Sequence, residues 1–281
     1  MGIRRRLAEK FVPDRVRSRM NRIGIELGPM GVDPFGFEPT VAKYAATPME
    51  QLYRRYFRVI ADGIQNVPEG RVLLVSNHSG QLPFDGMMIG AALFFDRDPP
   101  RYVRSMIEKW IPRLPYISVF MARIGQIVGT PDNCRRLLNN EEAILVFPEG
   151  ARGISKTFDK RYKLERFGTG FMRLALETNT PIVPVAVVGA EEQAPALYDA
   201  KSIAKFLGMP AFPITPFFPL LGPAGLLPLP TRYRIYFGEP LKFQGNGDED
   251  DDVIQKQIDQ VKSSINSMLN RGLRERDGVF R

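Results

Sequence analysis

The sequence predicts an α/β fold, a mostly parallel central sheet flanked by helices, with a basic amphipathic arm at its N-terminus. Three observations carry this. Four short apolar runs, "RVLLVSN" (71–77), "AILVFPEG" (143–150), "PIVPVAVVGA" (181–190) and "YRIYFGEP" (233–240), have the continuous hydrophobicity of strands buried on both faces. Helical patterns separate them, as crossovers between parallel strands require. The chain has 281 residues, 44% of them apolar, which is enough for one large core.

Taken from the N-terminus, residues 1–23 carry eight Lys/Arg against two Asp/Glu. Ile3, Leu7 and Phe11, then Val16, Met20 and Ile23, recur at helical spacing, and Pro13 divides the segment in two. Two readings stand for this arm, a solvated basic face or docking on an anionic membrane surface. A Gly/Pro-rich connector, "GPMGVDPFGFEP", separates it from "MEQLYRRYFRVIADGI", whose apolar and aromatic residues suit a helix. The expected organisation is therefore an arm and connector over 1–44 and a single α/β domain over 45–281.

Further on, the run from Phe206 to Thr231 contains no charge, and its stretch Pro210–Pro230 contains seven prolines. The length would suit a membrane span. The prolines exclude a helix, since each interior one costs about 3 kcal/mol. A non-helical apolar loop is predicted, folded over the core or partly inserted in a membrane interface. The tail, "NGDEDDDVIQKQIDQVKSSINSMLNRG", reads as a closing amphipathic helix. Its acids lie at the helix N-terminus, and Ile254, Ile258, Val261, Ile265 and Met268 form one stripe.

Composition narrows the chemistry. With 39 Lys/Arg against 31 Asp/Glu the net charge is +8, which favours an anionic partner. No nucleic-acid recognition motif accompanies the charge, so nucleic acid is not expected. One cysteine, Cys134, and one histidine, His78, exclude an intramolecular disulfide, a Cys-based structural zinc site and every zinc site that needs two imidazoles. No metal or bound cofactor is expected. The N-terminus lacks an apolar signal-peptide core, and Arg6 stands where a myristoylation motif wants Ser or Thr, so the expectation is a cytoplasmic protein associated peripherally with the inner face of a membrane.

The lone histidine sits in "SNHSGQLPFDG", directly after an apolar strand pattern and before a small, flexible pair. That places the imidazole at the carboxyl end of a strand, where open α/β sheets gather their ligands. An imidazole exchanges protons near physiological pH, and a carboxylate partner, here Asp85, orients the ring. No G-x-S-x-G elbow precedes it, and Cys134 lies in a helical pattern, "DNCRRLL", that suits a small buried hydrophobe. The simplest use of His78 is to deprotonate a bound alcohol directly. A second strand-then-turn, "LVFPEGARG", presents Glu149, Gly150 and Arg152, and residues 152–166 carry six Lys/Arg, Lys156 and Arg161 among them, against two acids. Two readings stand for such a loop, binding of phosphate groups or a merely solvated basic face.

Four stretches in order, "NHSGQLPFD", "ARIGQIVGTPDNCRRLL", "FPEGARG" and "PIVPVAVVGAEE", resemble the blocks of the PlsC-type lysophospholipid and glycerolipid acyltransferase superfamily across about 180 residues. The resemblance implies O-acyl transfer from acyl-CoA or acyl carrier protein to a glycerolipid hydroxyl. His78 would be the general base, Asp85 its partner, and Glu149, Gly150 and Arg152 a substrate-binding block. It implies no cofactor beyond the thioester cosubstrate. Two departures matter. Six residues separate His78 from Asp85 where the family has four, so the "GQLPF" loop must bulge. Pro131 falls where many lysophosphatidate acyltransferases place a phosphate-gripping arginine, which leaves Arg123, Arg135 and Arg136 as substitutes, or a neutral acceptor. "RYKLERFGTGFMRLALETNTPIVPVAVVGAEE" is also similar to the branch that acylates mono- or diacylglycerol. Two other classes stay open, a non-catalytic membrane-surface lipid-binding protein and a lipid or thioester hydrolase.

Overall fold

The computed structural model describes residues 11–78, 83–207 and 212–281. All four predicted strands form, within a seven-stranded sheet of order β1-β9-β6-β2-β5-β3-β4. Its members are β1 (Ile60–Asp62), β2 (Val72–Ser76), β3 (Val103–Ile107), β4 (Ile127–Val128), β5 (Ala143–Val146), β6 (Ile182–Val188) and β9 (Arg234–Phe237). Strands β2 to β6 run parallel, β9 is antiparallel to β6, and β1 is parallel to β9.

The alternation of side chains along the strands builds two cores. On one face Val72, Leu74, Leu145, Val183 and Val185 pack with residues of α1 (Asp14–Met20), α2 (Pro39–Gln51) and α3 (Phe84–Phe95). On the other, Leu73, Val75, Ile144, Ile182 and Ala186 pack with α5 (Pro131–Asn139), α7 (Gly170–Glu177) and α9 (Asp251–Glu275). In α9 the predicted stripe buries Ile254, Ile258, Val261 and Ile265, with Leu269 completing it and Met268 half-buried at its margin. The remaining helices are α4 (Ile117–Arg123), α6 (Ala151–Ile154) and α8 (Lys201–Leu207), and a two-stranded ribbon pairs β7 (Tyr198–Asp199) with β8 (Pro213–Ile214).

Three features differ from the sequence pattern. The helix expected over "MEQLYRRYFRVIADGI" ends early: α2 stops at Gln51, a π-helical turn spans Leu52–Tyr56, and Ile60–Asp62 is β1. Residue 45 thus lies inside a helix. Strand β3 was hidden by Arg104 in its middle. That guanidinium is fully buried, pairs with Asp33 and with Glu142 (2.6 Å), and stacks over Phe37 at 4.7 Å. Burial pushes the Glu142 carboxyl up and Arg104 opposes the shift. Through Asp33 the Gly/Pro-rich connector is bound to the body, since Asp33 also accepts the N–H groups of Phe35 and Phe37.

The basic arm is the third. Residues 1–10 lie outside the described residues, but Val12, Val16 and Met20 join the first core. Arg15 donates to the Phe95 carbonyl (3.0 Å), Arg19 to the carbonyls of Phe94 and Arg97, and Arg22 pairs with Asp98 at 2.8 Å. Arg15 and Arg19 thereby satisfy open carbonyls at the C-terminus of α3. The Pro-rich segment also docks at both ends: Leu197 and Ala200 pair with residues 214 and 212, and the carbonyls of Pro228 and Pro230 accept from Tyr56 and Arg58. Among the described residues no helix is long and apolar enough to cross a bilayer.

Candidate functional site

Where β2 ends, the Asn77 side chain extends the ladder by one step. Its Oδ1 accepts the Val187 N–H (2.8 Å) and its Nδ2 donates to the Val187 carbonyl (3.1 Å). The chain therefore leaves the sheet at a fixed point, and the next residue is His78. Its own N–H donates to Glu149 Oε1 at 2.9 Å. Its ring stacks on Phe147, with centroids 4.2 Å apart at 23°. Its Nδ1 lies 2.7 Å from Asp85 Oδ2.

Asp85 comes from the first turn of α3, and its side chain is fully buried. Its second oxygen accepts the Gly86 N–H at 2.7 Å. A buried carboxylate facing Nδ1 selects the tautomer that donates from Nδ1 and leaves the Nε2 lone pair to accept a proton. The two residues meet despite the six that separate them. Residues 80–82 of "GQLPF" (80–84), where the bulge is expected, lie outside the described residues.

Beneath the histidine lies a buried ionic cluster. Glu149 Oε2 accepts the Glu165 N–H (2.9 Å) and pairs with Lys156 Nζ at 3.3 Å. The same Nζ lies 3.2 Å from Glu191 Oε1, and all three side chains are under 5% exposed. Glu191 Oε2 accepts the Tyr162 N–H at 2.9 Å. Tyr162 in turn donates its hydroxyl to Glu192 (2.7 Å) and accepts the Gly189 N–H (2.9 Å), while Arg276, just past α9, closes on Glu192 at 2.6 Å. Burial raises the Glu191 carboxyl and the Tyr162 hydroxyl, and Lys156 works against the Glu191 shift.

The residues expected to bind substrate fall in two settings. The Glu149 and Lys156 side chains are buried: they pair with each other, Lys156 also pairs with Glu191, and Glu149 accepts the His78 N–H. Arg152 and Arg161 are exposed. Arg152 donates to the Arg166 carbonyl (3.0 Å), and Arg161 donates to the Phe158 carbonyl while stacking on its ring at 4.4 Å. Gly150 has φ +55 and closes the turn onto the Phe147 carbonyl at 2.9 Å. The proposed substitutes for the missing arginine are engaged: Arg123 pairs with Glu38, Arg135 with Glu177 and Asp132, and Arg136 stacks on Phe35 at 4.8 Å. Cys134 is buried and its thiol is pushed up to about 11, which removes the thiolate a nucleophile needs. Among the described residues no group of three or more His, Cys, Asp and Glu side chains is placed to hold a metal ion.

Sequence reasoning did not assign Phe147, Gly153 or Glu191. The signal for Glu191 was available, since two adjacent acids directly after an all-apolar strand need a reason to be there. Gly153 shows only in three dimensions: a Cβ there would stand 2.8 Å from the His78 Cβ and 3.0 Å from the Glu149 Cβ. Gly153→Ala is therefore expected to displace the imidazole and lower any His78-dependent turnover more than tenfold, with the melting temperature moving by only a few degrees. Full turnover in that variant would mean that the close packing around His78 does not set its position.

The acyltransferase family model matches residues 58–188, from just past the π-helical turn to the last residue of β6. The chain is 40% identical over 259 residues to an uncharacterised protein of Mycobacterium tuberculosis, covering 90% of this chain and 72% of that one. It is 26% identical over 186 residues to a chicken (Gallus gallus) protein described as a DGAT1/2-independent enzyme synthesizing storage lipids, covering 66% of this chain and 52% of that one. Among solved structures it is similar in fold to the 1-acyl-sn-glycerophosphate acyltransferase PlsC of Thermotoga maritima, with a TM-score of 0.52, 16% identity, and coverage of 97% and 93% of the two chains.

Proposed function

This chain belongs to the acyltransferase family, and from that premise we propose that it moves a fatty acyl group from an acyl thioester to the hydroxyl of a glycerolipid, with His78 as general base. The observation that carries the reading is the 2.7 Å contact between His78 Nδ1 and the buried Asp85 carboxylate at the carboxyl end of β2. Nε2 takes the proton of the acceptor hydroxyl as its oxygen attacks the thioester carbonyl carbon. The C–S bond then breaks, and the departing thiolate recovers the proton from the imidazolium, which Asp85 stabilises meanwhile. No covalent enzyme intermediate and no metal enter this scheme. Acyl-CoA or acyl-ACP supplies the thioester, and an anionic membrane surface supplies the acceptor.

For the acceptor, lysophosphatidate and mono- or diacylglycerol are the two classes. The engagement of Arg123, Arg135 and Arg136 with other side chains, together with Pro131 at the N-terminus of α5, supports a neutral glycerolipid. Exposed Arg152 and Arg161 support a phosphate. Purified protein given palmitoyl-CoA with each acceptor separates them, with free thiol and lipid product followed together. Release of thiol that requires a lipid alcohol supports transfer, and release without one would make the protein a hydrolase.

Asp85→Asn tests the pair itself. An amide donates its N–H to Nδ1 and drives the proton to Nε2, where it blocks the base. The turnover number is expected to fall by about two to four orders of magnitude with KM little changed. A full-rate variant would remove Asp85 from the mechanism.

A further inference from the structure

The carboxyl edge of the sheet carries more than His78. Strands β2, β5 and β6 all end on it, and because β9 runs antiparallel to β6, the long segment 189–233 both leaves and re-enters the sheet on this side. That segment exposes large apolar side chains: Leu220 is 83% exposed, Leu227 70% and Leu221 61%. Its stretch from Phe206 to Thr231 has no charge of its own. From the carboxyl end of β5, on the same edge, runs a cationic loop in which Lys160, Arg161 and Lys163 are exposed. The two are joined, since the Phe158 N–H donates to the Ala196 carbonyl at 2.8 Å and Leu197 continues directly into the ribbon.

Exposed leucines and exposed cations carried on one edge of a sheet fit one kind of surface well. Leucines enter the apolar boundary of a bilayer while Lys and Arg pair with headgroup phosphates. A second copy of the chain fits poorly, because a twofold contact through this face would bring each cationic loop towards its own image. Arg15 and Arg19 of the N-terminal segment do not supply this surface, since they are held at the C-terminus of α3, which the crossover from β2 to β3 places at the opposite edge of the sheet.

We infer that the carboxyl edge of the sheet, led by Leu220, Leu221 and Leu227 and bordered by Lys160, Arg161 and Lys163, seats on an anionic bilayer. The inference builds on the reading of His78 as an acyl-transfer base, because it turns that residue towards the phase in which lipid acceptors reside, but its test needs no turnover.

Full-length protein is sedimented with vesicles of phosphatidylcholine alone or mixed equally with phosphatidylglycerol, without acyl donor. Wild type is expected to bind the mixed vesicles. Leu220→Asp/Leu221→Asp is expected to bind them at least tenfold more weakly, and Lys160→Glu/Arg161→Glu/Lys163→Glu to lose the preference for phosphatidylglycerol. Arg22→Ala, at the opposite edge, and His78→Ala are expected to bind like wild type. Equal binding by the aspartate variant, absence of wild-type binding, or a change of oligomeric state in that variant with vesicle binding intact would each overturn the inference, the last in favour of a second copy. Should the aspartate variant fail to fold, Leu220→Trp replaces it. Its fluorescence is expected to be quenched by brominated acyl chains beyond the quenching of Trp110 in wild type, and equal quenching would overturn the inference. Loss of transfer in the assay above with vesicle binding intact refutes the chemistry and leaves the docking surface standing, and the reverse holds equally.

Discussion

Replacing His78 with alanine is expected to lower acceptor-dependent acyl transfer by about 10²–10⁴-fold, the usual worth of a positioned general base. The loss belongs in kcat rather than KM, because the imidazole acts on the hydroxyl proton only as the carbon–oxygen bond forms. No other group replaces it: the chain has a single histidine, and the buried Cys134 thiol is pushed up to about 11. The fold should survive. Truncation removes one half-buried ring and its stacking on Phe147, while the main-chain bond from the His78 N–H to Glu149 remains. Transfer at the wild-type rate by a well-folded variant would end the general-base reading. Loss of rate with a collapsed melting transition would instead call for His78→Gln, which keeps the bulk and a hydrogen-bonding group without the base.

Lys156→Met is expected to destabilise the protein by about 3–5 kcal/mol, the cost of leaving buried carboxylates without their cation. The side chain fits the space, so the effect is electrostatic. Its Nζ is the cation shared by Glu149 (3.3 Å) and Glu191 (3.2 Å), both sealed from solvent. The sign with pH follows from burial. The Glu191 carboxyl is already raised in the folded protein, and loss of Lys156 raises it further. A carboxyl whose folded pKa exceeds its unfolded value near 4.3 favours folding below that value and loses the advantage as pH rises. The variant's deficit, measured by urea unfolding, should therefore be smaller at pH 5.5 than at pH 8, and Glu191→Gln added to Lys156→Met should recover part of it. A deficit that does not change with pH would mean that packing, not charge, explains the loss.

How much of this was legible in the chain varies by element. Strands β2, β5, β6 and β9 announced themselves because a strand covered on both faces admits almost only apolar side chains. Strand β3 did not, since Arg104 breaks its run, and a buried guanidinium is tolerable only with Asp33 and Glu142 brought to it from elsewhere. Lys156 was read as a phosphate ligand because its neighbours in sequence are basic. Its neighbours in space are Glu149 and Glu191, buried carboxylates whose charge it offsets. Arg15 and Arg19 of the arm, part of a basic face in sequence, donate in three dimensions to the carbonyls that end α3.

The sequence by itself determined four strands of the sheet and the strand end that presents His78, and it offered Asp85 as a carboxylate seven positions on. These rest on local pattern, which periodicity and composition express directly. Only the tertiary structure decided that Asp85 meets Nδ1 across six intervening residues, that Lys156 lies between Glu149 and Glu191, and that the segment carrying the exposed leucines leaves and re-enters the sheet on the edge where His78 lies. Each depends on which strands neighbour which and on what burial does to a charge, and spacing along the chain encodes neither.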